Sequence, residues 1–320
     1  MSFVRSAAYD RLPPRTPDPE DPRFLDLLGG SVSDADVLLA GLPFDGAVIG
    51  RKGAKDGPSH IRESFRYLGS WDADAGMGLR GIRIHDAGDA TLDGADVLAV
   101  HDQAHRQLAA LSGHQKPLVV LGGDNSLSFP TFRALQDAYG GTWGLIVLDA
   151  HYDLRPYTGQ PTSGTPYRRI LEEAPGQPLM GDNLVEIGIR PYANAPSLAD
   201  YARLQGIHIL PAGRVRLWGI QRVIDHALGQ AGHAVDHLML SVDIDGLDQS
   251  VASGCSSPGA GGLSFEDAAA IVTAVGSHPK CRAMDLVEVA PNLDPSGNTG
   301  RTAAQLVAHF VGGIASRRLR

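Results

Sequence analysis

The chain has 320 residues, 43% of them hydrophobic and 20% charged, with a formal net charge of −8. This composition excludes wholesale disorder, and the negative balance excludes a surface built for nucleic acid or an anionic membrane. No run approaches a membrane span, Met1 to Asp10 lacks the apolar core of a secretory signal, and two cysteines, Cys255 and Cys281, support no disulfide framework. The expectation is a cytoplasmic protein with inert thiols.

Residues 1–34 are expected to form an extended arm. Within it, Leu12 to Pro22 reads LPPRTPDPEDP, and Pro13, Pro14, Pro17, Pro19 and Pro22 forbid regular structure. From residue 35 to 320 the pattern predicts a single α/β domain. Short aliphatic runs fall at Val37–Leu42, Pro117–Leu121, Trp143–Leu148, Leu184–Ile189, Ile207–Leu210, Leu238–Val242 and Met284–Val289. Segments with helical spacing lie between several of them, at Asp96–Leu111, Phe129–Tyr139, Leu217–Leu228, Phe265–Val275 and Thr302–Val311. Strand and helix in alternation predict a three-layer α/β/α fold around a mostly parallel sheet. The runs are apolar throughout, as strands buried on both faces require. In such a sheet a ligand site lies beyond the carboxyl ends of the strands.

Chemistry-bearing residues stand where apolar runs stop. Trp143–Leu148 ends in Asp149-Ala150-His151-Tyr152-Asp153, and Leu238–Val242 ends in Asp243-Ile244-Asp245. Spacing by two places Asp149, His151 and Asp153 on one side of an extended chain. A lone Asp-x-Asp reads as a strand-end cap. Two such motifs, each closing a buried strand, put like charges together at a cost that cations relieve. Oxygen ligands with one imidazole favour manganese, and shared carboxylates favour two ions about 3.5–4 Å apart. A third strand ends in Gly122-Gly123-Asp124-Asn125-Ser126, where Asp124, Asn125 or Ser126 is placed to cap the next helix. The last run carries Glu288 at its end.

In this order the strings GGDNS, DAHYD, SVDIDGLDQS and EVAP resemble the ureohydrolase family of arginases and agmatinases. Gly50–Phe65, GRKGAKDGPSHIRESF, is similar to the glycine-rich segment that family carries near its N-terminus. The resemblance implies an arginase-like fold, a binuclear manganese centre that activates water, hydrolysis of a guanidine or amidine C–N bond, and a homo-oligomer. By position it implies Asp149, His151, Asp153, Asp243 and Asp245 as metal ligands, with Asp149 and Asp243 shared. It implies Glu288 as the acid that holds the planar nitrogen group of the substrate.

Two departures are informative. The family's GGDHS is GGDNS here, so Asn125 replaces a histidine ligand and one of the two ions is expected to be held less tightly. Where many arginases and agmatinases place a proton-shuttling histidine, this chain has Ser163, which is expected to be a substrate-binding residue instead. Both departures resemble the formimidoylglutamase subgroup, as do DLRPYTGQPTSGTPYRR, GIRPYANA and DQSVASGCSSPGAGGL. Arg155, two residues past Asp153, and Arg190, directly after a strand, are expected to bind the carboxylates of a small anionic amino-acid substrate. The alternative for both is pairing with structural acids such as Asp182 or Glu186. Arg168 and Arg169 are expected on a helix surface.

The reading is therefore hydrolysis of N-formimidoyl-L-glutamate to L-glutamate and formamide, a step of histidine breakdown, with Asp153 relaying a proton and Glu288 stabilising the amidinium. The alternatives are an amidinohydrolase that releases urea from a guanidino acid or agmatine-like substrate, and a non-catalytic binding protein of the same fold. A dinucleotide-binding protein is excluded, because no Gly-x-Gly-x-x-Gly follows the first strand.

Overall fold

A computed structural model of the chain describes residues 3–13 and 15–318. Eight parallel strands form one sheet in the order β4-β1-β5-β10-β9-β6-β7-β8. They are β1 (Val37–Gly41), β4 (Ile84–Asp89), β5 (Leu118–Leu121), β6 (Trp143–Leu148), β7 (Leu179–Ile187), β8 (His208–Leu210), β9 (His237–Asp243) and β10 (Cys281–Val287). A small antiparallel hairpin, β2 (Trp71–Asp72) with β3 (Met77–Gly78), lies outside the sheet.

Alternate residues of each strand feed two separate cores. Leu39, Val119, Leu121, Ile146, Leu148, Leu240, Val242 and Leu286 pack under α1 (Gly57–Ser64), α6 (Ala212–Trp218), α7 (Ile220–Ala231), α8 (Phe265–Ser277) and α9 (Asn298–Ser316). Leu38, Ala40, Leu118, Val120, Leu145, Val147 and Met239 pack under α2 (Val97–Ser112), α3 (Ser128–Tyr139), α4 (Pro166–Glu173) and α5 (Pro196–Gln205). The period of two thus serves both faces at once, which is why the strands read as unbroken apolar runs. The three-layer α/β/α expectation is met.

Several elements differ from the sequence reading. The edge strand β4 is polar, and its Asp86 and Asp89 pair with the fully buried Arg62 of α1. The helix expected over Leu217–Leu228 is two helices, α6 and α7, parted at Gly219 with φ of 77°. In the N-terminal region, Val4 bridges to Asp89 and the Tyr9 hydroxyl donates to Asp86. Phe24 and Leu27 lie in the core. Met1 and Pro14 are outside the described residues. Cys255 and Cys281 are buried and unbridged, and burial pushes their thiols up to about 12 and about 11. Among the described residues no helix is long and apolar enough to cross a membrane.

Candidate metal centre

The four central strands, β5, β10, β9 and β6, bring their carboxyl ends to one place. Close approach of their loops demands glycine at two positions. A Cβ on Gly246 would stand 2.8 Å from the Asp149 nitrogen, and one on Gly123 would stand 1.7 Å from the Phe44 oxygen. Asp153 and Glu288, neither of them glycine, adopt positive φ of 49° and 66°. Such backbone strain persists only where the surroundings enforce it, and it clusters at functional sites.

Within this crater the ligand atoms of Asp149, His151 and Asp245 lie within 4.8 Å of one another, and so do those of Asp149, Asp153 and Asp243. Asp149 is common to both groups. His151 Nδ1 stands 3.1 Å from Asp245 Oδ2 and 3.5 Å from Asp149 Oδ1. The acids are held by backbone donors: His151 N–H donates to Asp149 at 2.6 Å, and Asp245 N–H to Asp243 at 2.9 Å. Burial, Asp153 and Asp245 push Asp149 well above the usual carboxylate range; burial, Asp245 and Asp149 do the same to Asp243. Burial raises Asp153 to about 6. For His151, burial favours the neutral ring, but hydrogen bonds to Asp149 and Asp245 outweigh it and raise the group to about 11. Carboxylates crowded at this depth resist ionising together unless positive charge joins them, so this donor set fits divalent cations.

Asn125 lies against this cluster with its amide in a defined sense. Nδ2 donates to Asp153 Oδ2 at 2.7 Å, while Oδ1 accepts from Ser128 at 3.0 Å and from Tyr167 at 3.3 Å. An amide nitrogen is no ligand for a cation, so an oxygen ligand from Asn125 requires the amide to turn over. The Asn125 backbone N–H donates to Glu288 Oε1 at 2.9 Å; Oε2 is buried without a hydrogen-bond partner among the described residues. Burial, foremost, and Asp124 push Glu288 well up.

The three residues read as substrate contacts are placed differently from one another. Ser163 Oγ accepts from Ile49 N–H at 3.1 Å, tying two surface loops together. Arg155 is exposed, and its charge is felt at Asp153. Arg190 is buried; its backbone N–H donates to Ala150 O, Nη2 donates to Ser257 O at 2.8 Å, and Nη1 has no hydrogen-bond partner among the described residues. Neither arginine forms an ion pair among the described residues, so the alternative of structural acids is not what the structure shows. Arg169, expected on a helix surface, is instead buried, because it stacks on Phe129 at 3.7 Å from the ring centroid.

Sequence reasoning missed the buried supports beneath the site. Ser128, Tyr167 and Ser241 hydrogen-bond around Asn125, Asp285 is buried beside Ser128 and Ser241, and Glu186 is buried with no hydrogen-bond partner for its carboxyl group among the described residues. A charged residue inside an apolar strand run, as in Leu184-Val185-Glu186, was the available signal.

The sequence matches the profile of the arginase family over residues 35–312. The chain belongs to the arginase family. A formimidoylglutamase of Halobacterium salinarum is 38% identical over 316 residues, covering 94% of this chain and 96% of that protein. The solved structure of a formimidoylglutamase from Bacillus subtilis superposes with a TM-score of 0.88 at 30% identity, covering 96% of this chain and 97% of its own. A formiminoglutamase of Trypanosoma cruzi solved with manganese gives a TM-score of 0.85 at 31% identity, over 93% of this chain and 99% of its own. Within this arginase-family chain, then, the carboxylate crater occupies the carboxyl end of the central strands.

Proposed function

We propose that this protein is a binuclear manganese hydrolase that cleaves N-formimidoyl-L-glutamate to L-glutamate and formamide. The observation that carries the reading is the pair of cation-ready groups meeting at Asp149. Asp149, His151, Asp153, Asp243 and Asp245 are the residues that hold the ions, with Asn125 beside the weaker one. When bound, such ions supply an acidified water as nucleophile. The name and manganese content of the similar enzymes support the same choice.

The chain's own groups do the rest. Glu288 Oε2, left without a donor, takes an N–H of the planar amidinium and holds its carbon in reach of the nucleophile. Asp153 accepts a proton from the attacking water and returns it to the glutamate nitrogen, and its place in the crater beside Asn125 Nδ2 puts a carboxylate where both transfers occur. Collapse of the tetrahedral intermediate then releases formamide and the free amine. Arg190 Nη1 receives one substrate carboxylate, and Arg155 at the rim receives the other from its solvent side. Ser163, with its hydroxyl on Ile49, shapes the loop above them. The working form is a homo-oligomer in the cytoplasm, a reading supported by the family and by the two unbridged thiols.

The deciding experiment is a product assay with N-formimidoyl-L-glutamate and added manganese. Formamide and glutamate in equal amounts are expected. Urea from a guanidino acid, with no turnover of the formimidoyl compound, overturns the substrate; no turnover of either in manganese-loaded protein overturns the enzyme.

A further inference from the structure

Behind the Asp124-Asn125-Ser126 turn lies a buried chain of side chains that the reaction does not touch. Arg169 Nη1 meets His101 Nδ1 at 2.9 Å, and His101 Nε2 meets Ser126 Oγ at 2.9 Å. A guanidinium only donates, so Nδ1 is the acceptor and the ring is neutral; Nε2 therefore carries the proton and donates to Ser126. With its oxygen accepting from His101, Ser126 sends its own proton to the Asp124 carboxylate, to which its side chain is hydrogen-bonded. Asp124 also accepts from Ser126 N–H at 3.0 Å and from Ala47 N–H at 2.9 Å. Burial and the Arg169 charge hold the His101 ring down to about 3, in agreement with this polarity.

The chain closes on itself. Ala47 O accepts from Ser163 N–H at 2.9 Å, and Ser163 lies just before α4, the helix that carries Arg169. One ring of hydrogen bonds thus links the turn beside the metal cluster, the loop at Ala47 to Ile49, and the turn at Ser163. Arg169, His101, Ser126 and Asp124 are all buried, and Arg169 is further fixed by Glu173 and by the face of Phe129. The side-chain donors run one way, from Arg169 to Asp124, and Asp124 accepts from both sides, so loss of His101 or Ser126 leaves a buried group unpaired.

We propose that His101 and Arg169 are positioning residues: through Ser126 and Asp124 they set the turn that aims the Asn125 amide at Asp153 and the Asn125 N–H at Glu288. They thereby govern how tightly the ion nearest Asn125 is held. This rests on the binuclear reading above. Hydrogen-bonding supports outside the ligands themselves typically change affinity about 10- to 100-fold when lost, and here His101 acts through Ser126 and Arg169 through His101.

The test is a manganese titration of the full chain stripped with chelator, with free manganese read by electron paramagnetic resonance, and the melting curve followed by circular dichroism. His101→Leu is expected to loosen one ion about 10- to 100-fold and leave the other unchanged. His101→Gln, which keeps an acceptor for Arg169 and a donor for Ser126, is expected to recover most of that affinity. Ser126→Ala, a smaller change, is expected to act in the same direction if His101→Leu does not fold. Wild-type titration behaviour in His101→Leu and Ser126→Ala overturns the proposal, as does equal loosening of both ions, or a glutamine variant no better than leucine. Wild-type protein that binds two ions while the variants titrate like it sinks this proposal alone; wild-type protein that binds none sinks the binuclear reading itself.

Discussion

Replacing Arg190 with methionine keeps the apolar stem and removes the guanidinium. Arg190 is 8% exposed, spends Nη2 on Ser257 O, and leaves Nη1 buried without a hydrogen-bond partner among the described residues. A carboxylate that pairs with such a desolvated donor loses the whole interaction when the donor goes, about 2–5 kcal/mol. At about 1.4 kcal/mol per decade, kcat/KM for N-formimidoyl-L-glutamate should fall roughly 30- to 5,000-fold. Arg155 is exposed, so its pairing with the second carboxylate is screened by water and worth about 0–1 kcal/mol, fivefold or less in rate. Rates are to be compared with formamidine, which has neither carboxylate and serves as an internal control for damage to the Ser257 loop. Equal losses on both compounds in Arg190→Met would show that Arg190 only braces that loop, and a larger effect from Arg155→Met would invert the ranking that burial predicts.

Asp243→Ala should abolish manganese uptake and turnover together, as metal analysis beside the product assay will show; full activity in a metal-free variant refutes the centre. Asn125→His should tighten one ion, so that dialysed variant protein keeps activity that the wild type regains only on adding manganese; two equally tight wild-type ions contradict this. Metal affinity should rise with pH, because the ions compete with protons for the same groups. His151, raised to about 11, still carries its proton at neutral pH, so each unit of pH adds about tenfold in affinity per proton displaced. Below about 6, where Asp153 takes up a proton too, the fall should steepen. Calorimetric titration between pH 5.5 and 8 checks this, and a flat profile refutes it.

What the sequence made legible followed from burial on both faces and from strand ends. Trp143–Leu148 has no polar residue, so the strand and the point where Asp149 begins the site could be read directly. β4 was invisible because Ile84-His85-Asp86-Ala87-Gly88-Asp89 satisfies its acids with an arginine more than twenty residues earlier. Arg169 was misjudged for the same reason: its partners His101 and Phe129 are 68 and 40 positions away, and no local pattern encodes them. Long-range polar partners are set by topology, whereas periodicity reports only the face a residue shares with its neighbours. The sense of the Asn125 amide likewise depends on Ser128 and Tyr167 together.

β10 is the last strand of the sheet to be synthesised, yet it sits in the middle, between β5 and β9. Until it arrives, the two halves of the sheet face each other across an unfilled slot, and Glu288, which follows β10, is missing from the crater. The five metal-binding residues all precede β10, but without Glu288 a growing polypeptide on the ribosome has no complete site to offer a substrate. Assembly of the catalyst becomes a late, all-or-none event, in which insertion of one strand joins the halves and completes the chemistry in the same step. Partial products that stop short of β10 should expose two sheet edges and be cleared by proteolysis, instead of persisting as weakly active enzyme.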